Sequence, residues 1–563
     1  MAYDLLIKNG VVIDGSGLPR SHGNVAIKAG RVVAMGKVAG PAATVIDADG
    51  LIVAPGIVDA HTHYDAQITW DPLATYSCWH GVTSVVQGNC GYSIAPCKPE
   101  DRDYLTKTLA KVEGISLAAL ENGVPWTWTT FPEYLSKLDG RLGVNVAAYV
   151  GHTAIRRYVM GEAAIEREAT DGEISQMRQI VAEAMDAGAA GFATSLSPTH
   201  VGWNLEPIPP RFATDEEVYA LASPVGDANV GTIAILPRTL IGGVKQHDRE
   251  MLVRLAQMTK RPVITQGQLV PEGEAAGVAV YTLINGRPFD RTFDLKKTSI
   301  LDGMPHWRDL IPMPMEQKMA LMRDESMRAK LRDDIDHPNM DPAKGQILPP
   351  PPWQTTYVKT VKLEKNQPLL GKSIKQVAEE RGTHVADVLL DLALEEDLET
   401  RFRLYSGWTP ERETEILATL RSPYSIVGIS DGGAHLDRDD GSEYSTFFLH
   451  HWVKERQAMS LEEAIRLLTM VPASVCGLWD RGLLRPGYAA DVMIFDPDEL
   501  RIVSKEIVAD LPGGGERFGA IPQGIKYTVV NGEVLIKDGQ HTGALPGQVL
   551  RLAGDRQARA AAS

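Results

Sequence analysis

From Gly56 to about residue 480 the chain keeps returning to one unit, a short apolar run followed by a stretch with helical spacing. VTSVVQGN, VNVAAYVGH, AAGFATSLS, GTIAILP, RPVITQG and YSIVGISDG read as strands. DGEISQMRQIVAEAMDAG and DEEVYALASPVGDANV are the clearest of the helices alternating with them. Strand–helix alternation over this length implies a parallel sheet, and closure into a (β/α)8 barrel is the commonest large solution. The fold class is therefore α/β. At 563 residues the chain is too long for one small core and suits a large barrel with an appended domain.

Active sites of such barrels lie at the C-terminal ends of the strands. His61, His63, Cys90, His152, His200 and Asp431 all fall at such ends in this reading. The pair His61-Thr62-His63 closes the apolar run LIVAPGIVDA. In an extended strand residues i and i+2 point the same way, so both imidazoles face one centre. Two such nitrogens suit a divalent metal ion, zinc above all, with a coordination position open for water. The plain alternative is a strand ending in two exposed polar residues. Asp431, in ISDGGAH, is either an Asp-Gly turn or a carboxylate that takes a proton from water and returns it to a leaving group. Cys90 is either a small buried hydrophobe or a further ligand.

Residues 1–55 are several short strands separated by Gly and Asp turns, and residues 481–563 return to strands and Asn-Gly turns before a C-terminal tail. The two strand-rich ends most simply pair into one β domain beside a barrel spanning 56–480. Residues 272–385, rich in Pro, Met, Trp and charge, read as an insertion or lid after the sixth strand, with a helix in KMALMRDESMRAKLRDDI. Trp307, Trp353 and Pro349 to Pro352 either wall an apolar pocket or pack within the loop. A net charge of −15 argues against a nucleic-acid surface. Four scattered cysteines form no disulfide framework, which makes a reducing cytoplasm the default location. No signal peptide and no membrane-spanning run are read. The partner expected is a small-molecule substrate, and self-association into a homo-oligomer stays open.

Several motifs together resemble the amidohydrolase superfamily and, within it, the N-acyl-D-amino-acid deacylases. They are PGIVDAHTHYDAQ, VVQGNCGYS, YVGHTAIR and GISDGGAH, with GLLRPGYAADVMIFDP and VVNGEVLIKDGQHTGALPGQVLR in the tail. The resemblance covers nearly the whole length. It implies a metal-dependent hydrolase in a distorted (β/α)8 barrel flanked by a β-sandwich built from both chain ends. It also implies that His61 and His63 are metal ligands, that Cys90 joins them, and that Asp431 contacts the metal and moves protons. His152 matches a third-strand position near the pocket. One departure stands out: such deacylases carry a metal-binding His at the ends of the fifth and sixth strands. Here GTIAILPRT and RPVITQGQLV contain none. One ion is thus expected rather than two, with Gln266, Gln268, His200 or His247 as substitutes near the lost positions.

The remaining expectations concern substrate. His152 is either a core histidine or a catalytic donor to the substrate carbonyl oxygen. His200 and His435 lie at strand ends, His200 being taken as substrate-binding. Arg238, at the fifth strand end, is the candidate for binding a substrate carboxylate, ahead of Arg156 and Lys245. Cys78 and Cys97 are read as structural. The expected reaction is hydrolysis of an amide-type C–N bond, in an N-acyl amino acid of the D class. The rivals are hydrolysis of a cyclic amide, ureide or lactone, and a scaffold that binds without turnover.

Overall fold

The computed structural model describes residues 2–240, 243–339, 348–405, 407–439 and 441–552. Among these residues one sheet holds eight parallel strands, hydrogen-bonded in chain order. They are Ile57–Asp59, Val82–Gln87, Asn145–Gly151, Gly191–Ser195, Thr232–Leu236, Val263–Gln266, Val280–Ile284 and Ser425–Val427. The first and eighth continue into His61–Thr62 and Ile429–Gly432, which pair in parallel and join the two edges of the sheet. The barrel therefore closes at the His-Thr-His segment itself. Val82–Gln87, Asn145–Gly151, Gly191–Ser195 and Thr232–Leu236 are buried at every position. That is why their sequences read as unbroken apolar runs: helices cover one face of the sheet and the barrel interior the other.

The helices obey the same economy. Asp171–Asp186 starts at a capping box made by Thr170 and Glu173. It turns Met177, Val181, Ala184 and Met185 inward, a stripe at helical spacing. Asp215–Ala228, capped by Thr214, follows the fourth strand and keeps Glu217 buried within its first turn.

The interruption of the barrel falls later than the sequence suggested. Val280–Ile284 lies inside the expected 272–385 insertion, yet it pairs with Val263–Gln266 on one side and Ser425–Val427 on the other. It is the seventh barrel strand, so the inserted segment follows strand seven and ends before the helix Pro410–Leu420. Only the single-turn helix Pro271–Ala275 separates it from the strand before, so the usual long helix that announces a new strand is missing. The insertion is a small domain. A three-stranded antiparallel sheet, with Arg401–Tyr405 between Asp290–Phe293 and Thr356–Thr360, packs with helices around Trp307, Phe293, Phe402 and Leu389. KMALMRDESMRAKLRDDI forms two helices, Met315–Arg323 and Glu325–Asp336, broken at Asp324, whose side chain caps the second.

Both chain ends meet in a nine-stranded sheet. Tyr3–Val12 pairs with Ala42–Asp47 over its first part and with Ile52–Pro55 at its end, so the sheet divides there. Ile52–Pro55 in turn pairs with Val492–Phe495 from the far end of the chain. Leu5, Ile7, Val25, Val53, Val492 and Ile494 form its core. A hairpin, Arg501–Leu511 with Gly515–Gln523, reaches back to the barrel, where Lys505 lies 2.7 Å from Asp439 and 2.9 Å from Glu443. The part of the expected C-terminal tail beyond residue 552 lies outside the described residues. No described helix is long and apolar enough to cross a membrane.

Candidate metal centre

Strand alternation and barrel closure together bring the predicted ligands to one point. His61 and His63 are each 3% exposed, with ring centroids 5.1 Å apart. The pairing of 61–62 with 429–432 sets Asp431 opposite them: its Oδ1 lies 3.4 Å from His61 Nε2 and 3.7 Å from His63 Nε2. Cys90 Sγ is 3.7 Å from His61 Nε2. The ligand atoms of His61, His63 and Cys90 all lie within 4.8 Å of one another. Two imidazoles, a thiol and a carboxylate converging in a buried pocket make a donor set that fits a divalent transition-metal ion.

The backbone is bent to achieve this. Cys90 and Asp431 have φ of 55° and 52°, a region few non-glycine residues adopt and one that clusters at functional sites. Cys90 sits in a tight turn between Gly88 and Gly91. A Cβ on Gly88 would come within 2.5 Å of the Tyr149 carbonyl oxygen, so the turn needs glycine there.

Electrostatics are set by burial and close neighbours. Burial alone would raise the Asp431 carboxyl, but the hydrogen bond with His63 and the charges of His61 and His435 hold it well below the usual carboxylate range. Burial pushes His61 down to about 3. Burial also disfavours a charged His63, yet the Glu113 carboxylate, with Asp431 and Cys90, raises it well above an ordinary histidine. Burial lifts the Cys90 thiol to about 11, so it is neutral near pH 7 unless a cation draws the proton off.

Glu113 was not foreseen. It ends the helix Arg102–Glu113, is 2% exposed, and places Oε1 3.3 Å from His63 Nδ1. It therefore stands behind His63, on the side away from the Nε2 that faces Asp431. Nothing in AKVEGIS marks that role, because it depends on where a distant helix ends.

At the fifth and sixth strand ends, where related deacylases were expected to carry histidines, Leu236 and Gln266 line the cavity. The Gln266 amide nitrogen lies 3.3 Å from both ring nitrogens of His61. Gln268 is not among the lining residues, and its carbonyl accepts from Thr282. His247 is exposed and pairs with Asp215 at 3.2 Å. His200 does reach the cavity. Its Nδ1 is 2.8 Å from Ser195 Oγ, and burial together with the charge of His63 pushes it down to about 3, leaving it neutral. His435 also lines the cavity, 3.8 Å from Asp431, with Nδ1 2.7 Å from Arg438.

Two expectations are corrected. His152 does not face the cavity: its Nδ1 is 2.8 Å from Thr194 Oγ1 and its Nε2 2.8 Å from Glu217 Oε1. With both nitrogens engaged it cannot donate to a substrate, and it belongs to a fully buried network that includes Arg156. Arg238 pairs with Asp215 at 2.8 Å and does not line the cavity. Lys245 is exposed. Cys78 and Cys97 are buried and free.

The cavity over the centre has a volume of about 380 Å3. Leu236, Leu240 and Val201 give it an apolar wall, Lys111, Arg291 and Arg438 a basic one, and Pro349 to Pro352 of the insertion border it. Trp307 instead lies in the core of the insertion, with Trp353 packed against that core.

Known proteins resemble the chain along nearly its whole length. The model of the amidohydrolase family matches residues 44–536. The chain is 28% identical to an N-acyl-D-aspartate deacylase of Alcaligenes xylosoxydans xylosoxydans over 97% of its own length and 95% of that protein's. It is likewise 28% identical to a D-aminoacylase of the same organism, over 97% of each chain. The crystal structure of N-acyl-D-glutamate deacylase from Bordetella bronchiseptica, complexed with zinc and a phosphonate inhibitor, superposes with a TM-score of 0.65. That pair is 23% identical, with 98% of this chain and 100% of that one covered.

Proposed function

The chain belongs to the amidohydrolase family, and from that premise we propose that it hydrolyses the amide bond of an N-acyl D-amino acid at a metal centre held by His61, His63, Cys90 and Asp431. The observation that carries this reading is the convergence of those side chains, with the ligand atoms of His61, His63 and Cys90 within 4.8 Å of one another. The full-length likeness to N-acyl-D-amino-acid deacylases supports the substrate class.

A divalent ion bound there supplies a Lewis acid and brings the pKa of a coordinated water from 15.7 toward about 7. Zinc suits a site of imidazole, thiolate and carboxylate. One ion per chain is the expected number, because the fifth and sixth strands end in Leu236 and Gln266 and bring no histidine to the cavity. An apolar side chain and a neutral amide are poor replacements for imidazole.

The protein's own groups do the rest. Asp431 is anionic at neutral pH and its side chain is 24% exposed, against 4% for His61, so it is the group of the centre most open to the cavity. It accepts a proton from the attacking water and delivers it to the departing nitrogen as the C–N bond breaks. The acyl group leaves as a carboxylic acid and the amino acid as a free amine. Such proton transfer is worth about 10²–10⁴-fold in rate. His200, neutral and held at Nδ1 by Ser195, offers Nε2 to the substrate carbonyl oxygen. Pro349 to Pro352 add an apolar border to the cavity.

The test is a substrate panel with zinc-loaded protein, setting N-acyl amino acids of both hands against hydantoins, dihydropyrimidines and lactones. Amine release from the N-acyl D compounds, well above the L series, is expected. Ring opening without amine release would replace this reading with a cyclic amidase. No turnover of any compound by metal-loaded protein would favour a binding scaffold.

A further inference from the structure

Of the basic side chains lining the cavity, two already have partners. Lys111 pairs with Asp302 at 2.6 Å, and Arg438 with Asp437 at 3.0 Å and Ser299 at 2.6 Å. The Arg291 side chain has neither an ion pair nor a hydrogen bond among the described residues, and its buried Nε is unpartnered. Its guanidinium lies 4.4 Å over the ring of Phe289, two residues back along the chain. That contact fixes the plane of the group without neutralising it.

Its placement is built by the fold. Asp290–Phe293 is the first strand of the insertion, and the Thr292 amide donates to the Arg438 carbonyl at 2.9 Å. This bond fastens the strand to the loop following Asp431. Arg291 consequently borders the same recess as Asp431 and His435. Burial, with Arg438 close by, pushes its guanidinium down to about 10, although Asp439 and Asp431 oppose the shift. A half-buried cation with no described carboxylate in ion-pairing range is left short of a partner, and a planar fork of donors matches a carboxylate in both charge and shape.

We propose that Arg291 is the specificity-determining residue of this site, receiving a carboxylate of the substrate while the scissile amide lies over the metal centre. The proposal rests on the amide-hydrolase reading above. The insertion thereby acquires a chemical role, since it carries the group that distinguishes an N-acyl amino acid from a neutral amide of the same size. Carboxylate recognition also moves from Arg238, which Asp215 already neutralises, to a residue on the cavity wall.

The experiment compares kcat/KM for N-acetyl-D-leucine with that for N-acetyl-D-leucinamide in wild type, Arg291→Met and Arg291→Lys. The ratio of the two constants is taken within each protein, so partial loss of folded enzyme cancels. The carboxylate preference is expected to fall about 10- to 100-fold in Arg291→Met, the range for a hydrogen bond to a charged group, and to recover in part in Arg291→Lys. In parallel, calorimetry follows benzoate and benzamide binding, with benzoate weakened at least about tenfold in Arg291→Met by the same reasoning. An unchanged preference, or benzoate bound equally well by both proteins, overturns the proposal. If wild type hydrolyses neither acyl compound, the proposed function fails, and weaker benzoate binding by Arg291→Met still supports the anion subsite.

Discussion

Glu217→Gln separates a structural His152 from a catalytic one. Glu217 Oε1 accepts from His152 Nε2 at 2.8 Å and from Arg156 Nε at 2.7 Å, and its Oε2 accepts from Arg156 Nη2 at 3.3 Å. His152, Arg156 and Glu217 are all 0% exposed. The amide keeps the shape of the carboxylate, but it removes the charge and turns an NH2 group toward the guanidinium. Taking one partner from a buried ion pair costs about 3–5 kcal/mol. Unfolding entropy of about 2.1 cal/mol/K per residue gives about 1.2 kcal/mol/K for a cooperative chain of this length. The expected fall in Tm is then about 2.5–4 °C, and more if the barrel melts as a smaller unit. Differential scanning calorimetry reads the shift, and amidase kinetics on the same sample read activity. None of the three residues lines the cavity, so kcat and KM are expected to stay within about twofold. A Tm unchanged within about 1 °C, or a kcat down about tenfold at native Tm, would refute the assignment of this network to the scaffold.

Glu113→Gln is expected to weaken metal affinity about 10- to 100-fold, measured by chelator competition, because the carboxylate behind His63 Nδ1 orients the ring and raises its basicity; equal affinity would remove Glu113 from that role. Acid sensitivity should follow from the buried network. Burial holds His152 below its ordinary value, so the unfolded chain binds a proton that the folded one resists, and stability falls as pH drops below about 6.5. Glu217 is also held low, despite burial, by His152 and Arg156, so its contribution is present above 4.5 and is lost further into acid. Tm is expected to fall between pH 7 and pH 5, and the fall to flatten in His152→Gln; an identical slope in the variant would count against it.

What could be read from the sequence was whatever a local period encodes. The two-residue spacing of His61 and His63 fixes their common direction on any strand, and Asp431 follows an apolar run whose end had to meet the first strand when the barrel closed. Val280–Ile284 escaped because a five-residue apolar run after one helical turn looks like part of a Pro- and Trp-rich insertion. His152 sits at a strand end as expected, yet its direction is decided by Glu217, 65 positions away in sequence. Glu113 and Arg291 reach the cavity only through the packing of a helix end and of the insertion. In the same way, Arg238 and Arg291 are equivalent as sequence, and the proximity of Asp215 to the first and the place of the second on the cavity wall tell them apart.

In the proposed centre His61 and His63, with Cys90 and Asp431, grip one metal ion. Elemental analysis of protein purified without chelator and then supplied with Zn2+ counts that ion. One ion per chain is expected in wild type and close to none after His61→Ala together with His63→Ala, with the fold retained by circular dichroism. Wild-type protein that retains no metal, or a double variant that binds as much as wild type, would contradict it.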